Sequence, residues 1–286
     1  MRTPTIEWQV AGACNYDCSY CIQSKKYRRG RPAEEQISSA LRFFGELPGV
    51  WEIKCSGGEA FAHPLFMQRI VPGLMSDTPH RISVLTNFSA DREDLERFAG
   101  LVHGRLVVFS ASLHLEFAEV DLFVEKASWF VGLLEPSVRF VVNQVVIPGE
   151  ESVALQCKQR IEAAGLRWFP QLFKTKEGVA EYSDEVALRS VIGEAPGPRE
   201  ANLAPNYQGR MCWSGVEYFT VDKDGDAWSC RSAKRKGKGH LGNIYRGDFR
   251  LNAEPAPCPW SICPCTVPAN RGMIEGVSSS IAAVEE

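Results

Sequence analysis

The chain has no apolar run long enough to cross a bilayer, which excludes a transmembrane helix. Its start, MRTPTIEWQV, lacks the apolar core of a secretion signal. It carries no large excess of either charge. Against 32 Lys and Arg stand 35 Asp and Glu, a net charge of -3, so no global positive field argues for nucleic acid. No internal repeat is evident. These absences lead to the expectation of a cytoplasmic protein with neither membrane nor nucleic acid among its partners. The 286 residues suffice for one large domain plus a smaller one, and 44% hydrophobic with 23% charged residues is an ordinary globular composition.

What is present in unusual number is cysteine. Ten stand at positions 14, 18, 21, 55, 157, 212, 230, 258, 263 and 265. A reducing compartment disfavours structural disulfides, and clustered thiols there bind metal or do redox work.

Between the two cysteine groups runs a regular pattern. Val-, Ile- and Phe-rich stretches at 5–11, 51–55, 81–87, 105–112, 137–147 and 166–173 read as strands. They alternate with helical stretches at about 33–46, 64–75, 90–100, 117–133 and 150–164. Such alternation predicts parallel βα units. The pattern breaks at 193–210, GEAPGPREANLAPNYQGR, a Pro- and Gly-rich linker. A hairpin is predicted next: VEYFTVD, a KDGD turn, then AWSC. The expected divisions are 1–192, 193–275 and a tail over 276–286.

The first cysteine group is CNYDCSYC, with Cys14, Cys18 and Cys21 spaced Cys-x3-Cys-x2-Cys. Thiolates hold iron–sulfur cubanes, commonly four to a cluster. Three leave one iron open to a small molecule. A structural zinc site wants four closed ligands, and no fourth Cys or His lies close in sequence. The loop is polar, with Asn15, Asp17 and Ser19, and follows the first strand directly. That is the C-terminal end of a parallel strand, where such folds keep their sites.

This spacing at this place resembles the radical S-adenosylmethionine superfamily, whose motif also has an aromatic residue before the last cysteine, as Tyr20 is here. The resemblance implies a [4Fe-4S] cluster on Cys14, Cys18 and Cys21, with S-adenosylmethionine chelating the free iron and yielding a 5′-deoxyadenosyl radical. Further matches fall in register. Gly57-Gly58-Glu59 follows the second strand like the family's GGE motif, its glycines allowing close backbone approach and its carboxylate a partner for the cofactor's ammonium. Asn87 ends the third strand, and Ser110 and Ser112 end the fourth, where the family contacts ribose or methionyl carboxylate. Lys126 is a weaker candidate for that carboxylate. Val145 and Ile147, on the fifth strand, are candidates to back the adenine. The resemblance covers residues 5 to about 173 and implies a partial (β/α)6 TIM barrel within the α/β class.

The second group, Cys212-x12-Gly225-x4-Cys230 with LGNI after it and then CPWSICPC, looks like the auxiliary-cluster module called SPASM, or its short twitch form. Five cysteines imply one further [4Fe-4S] cluster and so a small C-terminal twitch domain. Cys212 and Cys230 are the firmest expected ligands, with Cys263 and Cys265 completing the site and Cys258 as the alternative. The same thiols also suit a structural zinc ribbon. A spare thiol, Cys258 first and then Cys55 or Cys157, could donate a hydrogen atom to a substrate radical. Cys157 and Cys55 also read as small buried hydrophobes.

The expected function is hydrogen abstraction from a small polar metabolite, an aminocyclitol or sugar of antibiotic biosynthesis, ending in dehydrogenation or epimerisation. Two features prompt it: the first strand starts near residue 1, with no domain before it to capture a leader peptide, and the short twitch enzymes include an aminocyclitol oxidase. Flavodoxin or ferredoxin is the expected electron donor. Modification of a short peptide is the alternative, and a non-catalytic iron–sulfur or zinc sensor is the alternative of another class. The basic run 231–240 and the residues His63, Glu116, Gln171 and Arg231 are candidate substrate contacts, with His63 or Glu116 as a base.

Overall fold

A computed structural model describes residues 2–175, 178–193, 206–263 and 265–277. The first half alternates as the sequence predicts: β1 (Thr5–Ala11), α1 (Glu34–Glu46), β2 (Glu52–Gly57), α2 (Val71–Asp77), β3 (Arg81–Thr86), α3 (Arg92–Leu101), β4 (Leu106–Leu113), α4 (Val120–Val131), β5 (Arg139–Val146), α5 (Glu151–Ala163), β6 (Arg167–Leu172) and α6 (Glu185–Ile192). The helix predicted at 64–75 begins instead as a π-helical turn at Phe66–Ile70 before α2. Among the described residues the second half adds β7 (Met211–Cys212), β8 (Tyr218–Val221), β9 (Asp226–Trp228), α7 (Arg231–Arg235), β10 (His240–Asn243), β11 (Ala256–Pro257) and α8 (Thr266–Asn270). The expected linker at 193–210 and tail at 276–286 lie largely outside the described residues.

Strands β1 to β6 are parallel neighbours, and each crossover places a helix on the same side. Alternation along each strand then divides the two faces. In β1, Ile6, Trp8 and Val10 are fully buried, and Trp8 meets Phe44 of α1 edge-on at 5.1 Å. Ile53, Cys55, Val84, Phe109 and Val142 continue this apolar layer under the helices. Thr5, Glu7 and Gln9 face the other way. So do Lys54 and Ser56, which pair with Glu7 and Gln9. The inner face of the curved sheet is therefore polar, while its outer face carries the core.

The predicted hairpin β8–β9 forms, but it is not a separate ribbon. β8 adds alongside β1 in parallel, Thr5 opposite Tyr218 and Trp8 opposite Val221, giving one sheet ordered β10-β9-β8-β1-β2-β3-β4-β5-β6. Phe219, Val221, Leu241 and Phe249 join the same core, with Phe219 at 4.9 Å from Phe249 and 5.7 Å from Trp51. The last described segment is anchored beneath the N-terminal ends of the strands. There Arg271 donates two hydrogen bonds, at 2.7 and 2.5 Å, to the buried Glu52.

Candidate active site

The cysteine loop leaves β1 at its C-terminal end and is tied to three neighbouring loops. Gly58 N donates to Ala11 O and Glu59 N to Ala13 O, so the turn after β2 lies against the loop's start. A Cβ on Gly57 would lie 2.1 Å from Ala11 O, and one on Gly58 2.0 Å from Ala13 O. The glycine pair is required by this backbone contact, whatever else it meets. Ser19 donates through its backbone N–H and its hydroxyl to Glu116, in the loop after β4. The Tyr20 hydroxyl lies 2.9 Å from His114 Nδ1, and Tyr16 stacks on Phe117 at 4.4 Å.

Cys14, Cys18 and Cys21 are thereby gathered. Burial raises the thiol pKa of Cys14 and takes that of Cys18 to about 11, and the neighbouring cysteines add to both shifts. Among the described residues no group of three or more His, Cys, Asp or Glu side chains stands in a metal-holding arrangement. Asn87 joins the cysteine loop: its Nδ2 donates to Asn15 Oδ1 at 2.8 Å and lies 3.9 Å from Cys14 Sγ.

Glu59 is 1% exposed, and its carboxylate accepts from Thr86 Oγ1, Asn87 N and Phe61 N at 2.6–3.0 Å. It locks the β2 turn to the end of β3. Ser110, Ser112 and Val145 all point to the inner face, Ser112 opposite Asn143 and Val145 opposite Gln171. Asn143 Nδ2 is a buried donor with no partner among the described residues. It lies where the resemblance places the cofactor, so the residues present fit a polar organic ligand beside an iron–sulfur cluster. Asn143 was missed at the sequence level; an amide at an inner-face position of a Val-rich strand was the available signal.

Other candidates have structural tasks. Lys126 donates to Phe88 O at 2.9 Å and to Ala90 O, holding the turn after β3. His63 is buried, its Nδ1 accepting from Leu65 N at 3.1 Å, and burial lowers its pKa. Its Nε2 is buried with no hydrogen-bond partner among the described residues. Glu116 spends both oxygens on Ser19. The basic run divides: Arg231 turns inward to Glu7, Lys234 pairs with Asp222 at 2.8 Å, and residues 235–240 are exposed. Cys55 faces the helix layer and Cys157 is buried on α5, so neither reaches the inner face.

The second cysteine group is assembled by tertiary structure. β7 pairs with β11, Cys212 opposite Ala256, and Cys258 N then donates to Arg210 O at 2.8 Å. Cys230 caps α7, its sulfur accepting from Ala233 N at 3.3 Å. Cys263 and Cys265 lie just before α8. Burial raises the Cys263 thiol pKa strongly, and Cys265, Cys230, Cys212 and Cys258 all add to it. The five thiols thus lie near enough for the other four to act on Cys263. Cys265 alone looks through to the inner face, 3.4 Å from Glu7 Oε2 and 3.7 Å from the Tyr218 hydroxyl.

No family model matches the chain. No curated protein matches it either. Solved structures do. The chain is similar to native anSMEcpe with bound AdoMet and Kp18Cys peptide, at 15% identity and a TM-score of 0.58 over 87% of this chain and 81% of that one. It is similar to Streptococcus suis SuiB bound to precursor peptide SuiA, at 14% identity and 0.62 over 86% of this chain and 63% of SuiB. A looser likeness, with a TM-score of 0.49 and 15% identity, is to BtrN in complex with AdoMet and 2-DOIA, over 86% and 80%. The fold is that of the radical S-adenosylmethionine enzymes. Among the described residues no helix is long and apolar enough to cross a membrane.

Proposed function

We propose that the chain is a radical S-adenosylmethionine enzyme that removes a carbon-bound hydrogen from a polar substrate held inside the partial barrel. What supports this is the loop of Cys14, Cys18 and Cys21 following β1 at its C-terminal end, with Asn87 2.8 Å from Asn15 and the Gly57-Gly58 turn laid against the same loop. These three cysteines would hold the [4Fe-4S] cluster. Ser110, Ser112, Asn143 and Val145 would flank S-adenosylmethionine from the inner face. When bound, this pair supplies a 5′-deoxyadenosyl radical. The protein's own part is to orient the cofactor, to keep water from the radical and to hold the substrate's target carbon in reach.

The second cysteine group would hold an auxiliary [4Fe-4S] cluster at the other end of the barrel interior. The polar inner face supports a small polar metabolite, oxidised or epimerised, as the substrate. A second reading, modification of a short peptide, is supported by the two structures with TM-scores above 0.5, whose bound partners are peptides.

The test is anaerobic. Reconstituted protein with S-adenosylmethionine and dithionite is expected to form 5′-deoxyadenosine. Intact clusters with no product would overturn the reading and leave a binding or sensing protein. In D2O, epimerisation would label one carbon of the product, whereas oxidation would give a product two mass units lighter.

A further inference from the structure

Directly after Cys21 the chain makes a basic excursion. Residues 22–32, IQSKKYRRGRP, leave the cysteine loop and return to the end of β1, where Gly12 N and Ala13 N both donate to Gly30 O, at 3.1 and 3.2 Å. Tyr27 N and Arg28 N donate back to Ser24 O, Arg28 Nε donates to Gln23 O, and Gln23 Nε2 donates to Gly57 O. The excursion is therefore pinned at its base and folded on itself, while Lys25, Lys26, Arg29 and Arg31 stay exposed on it.

Tertiary contacts bring the later basic run beside it. Lys234 Nζ lies 5.0 Å from the centre of the Tyr27 ring, and the Lys223 side chain packs against Gly30, its Nζ 3.6 Å from where a Cβ would stand. Lys236 and Lys238 follow α7, both exposed. Most acids of this face are already matched. Asp17 pairs with Arg28, Asp222 with Lys234 and Asp224 with Lys223. Glu34 pairs with Arg69, which leaves Glu35 and Glu116 as bordering acids. Lys25, Lys26, Arg29, Arg31, Lys236 and Lys238 outnumber them and have no ion pair among the described residues. A chain of net charge -3 thus gathers unmatched positive charge in one place. Ile22 and Tyr27, 57% and 42% exposed, add apolar surface within it.

We propose that this basic face docks an acidic one-electron carrier protein and brings it to the cysteine loop. Position decides the choice of partner. Lys25 follows Cys21 by four residues, Gly30 is bonded to the residues just before Cys14, and Arg28 holds Asp17 between Cys14 and Cys18. A protein seated here meets that loop first. The proposed function needs such a visitor. Converting a sulfonium into a thioether and a carbon radical breaks one C–S bond and takes up one electron, which the carrier loses. Electron-transfer encounters bury little area and are steered by charge, and exposed cations around a few apolar side chains suit both. This deepens the proposed function and rests on it for the electron's destination.

The test separates docking from turnover. Reconstituted protein titrated with flavodoxin, an acidic one-electron carrier, is expected to bind it in a single association that weakens about tenfold between about 50 mM and 300 mM salt. Lys25→Glu combined with Lys26→Glu should weaken binding at least about tenfold. Arg42→Glu combined with Arg81→Glu changes the net charge equally at exposed cations elsewhere, on α1 and at the start of β3, and should weaken it no more than about twofold. Both variants should keep the wild-type iron content. With limiting flavodoxin as reductant, 5′-deoxyadenosine formation should fall in the first variant only; with dithionite all three proteins should be equal. Wild-type binding by the first variant would overturn the proposal. So would an equal loss in the second, which would make net charge the cause. Unimpaired flavodoxin binding with lost binding of a polyglutamate peptide would overturn it too, and assign the face to an acidic peptide. Failure with dithionite would sink the radical reading by itself, while the titration still decides the docking face.

Discussion

The two cysteine regions solve the same problem by different means. Cys14, Cys18 and Cys21 come from one eight-residue stretch; the rest of the fold fastens that loop through Glu116, His114 and the Gly57-Gly58 turn. Cys212, Cys230 and the stretch holding Cys258, Cys263 and Cys265 are three separate segments. They meet only because β7 pairs with β11, α7 follows β9, and Arg271 fixes the chain after α8 to Glu52. A local site can be built with a corner left open for a ligand, while a dispersed one doubles as a crosslink of its domain. The first should fail chemically when broken, the second structurally as well.

Removing the thiols should separate the two most sharply. Replacing Cys14, Cys18 and Cys21 together with Ala is expected to abolish 5′-deoxyadenosine formation and halve the iron, from about eight to about four per chain, with little change in stability. Replacing Cys212 and Cys230 with Ala should lose a similar amount of iron but leave cofactor cleavage measurable and lower the thermal midpoint. Iron assay, product analysis and calorimetry on both variants check the contrast. Equal destabilisation by both would break it.

Arg271→Ala comes next. It strands the fully buried Glu52 carboxylate and should cost about 3–5 kcal/mol in urea unfolding, felt mainly by the C-terminal module. Iron at the N-terminal loop should survive at urea concentrations that strip the second site.

The pH dependence is smaller. Burial by itself would raise the Glu7 pKa, but the charges of Arg231 and Lys54 and the hydrogen bonds it accepts bring it down to about 2. An unfolded Glu titrates near 4.3, so below about pH 5 the unfolded chain takes up a proton that the folded one refuses. Stability should therefore fall between about pH 5 and pH 2, and Glu7→Gln should flatten that fall in acid unfolding curves. The smallest effect is expected outside both regions. Cys157→Ala should leave iron and cofactor cleavage unchanged and cost about 1 kcal/mol, since that thiol is buried on α5 against Gln144, away from the inner face.

Much of this was legible from spacing. The six βα units followed from runs such as RISVLTN and SVRFVVNQVVI, and the hairpin around Asp224-Gly225 from its turn chemistry. The placing of β8 beside β1 was not, because strand order depends on which edge is free after folding. Nor was the engagement of Glu59, whose carboxylate accepts from the protein's own Thr86, Asn87 and Phe61. Glu116 reads as a free base because its partners cannot be seen in a string; both of its oxygens accept from Ser19.

The sequence by itself determined the alternating fold and the three-thiol loop, since both rest on neighbours a few residues apart. Only the tertiary structure decided what faces the barrel interior. Glu7, Lys54 and Thr220 are far apart in the chain, and each alone is an unremarked polar residue. Parallel pairing in register sets them side by side on the inner face, where Arg231 reaches Glu7 from α7.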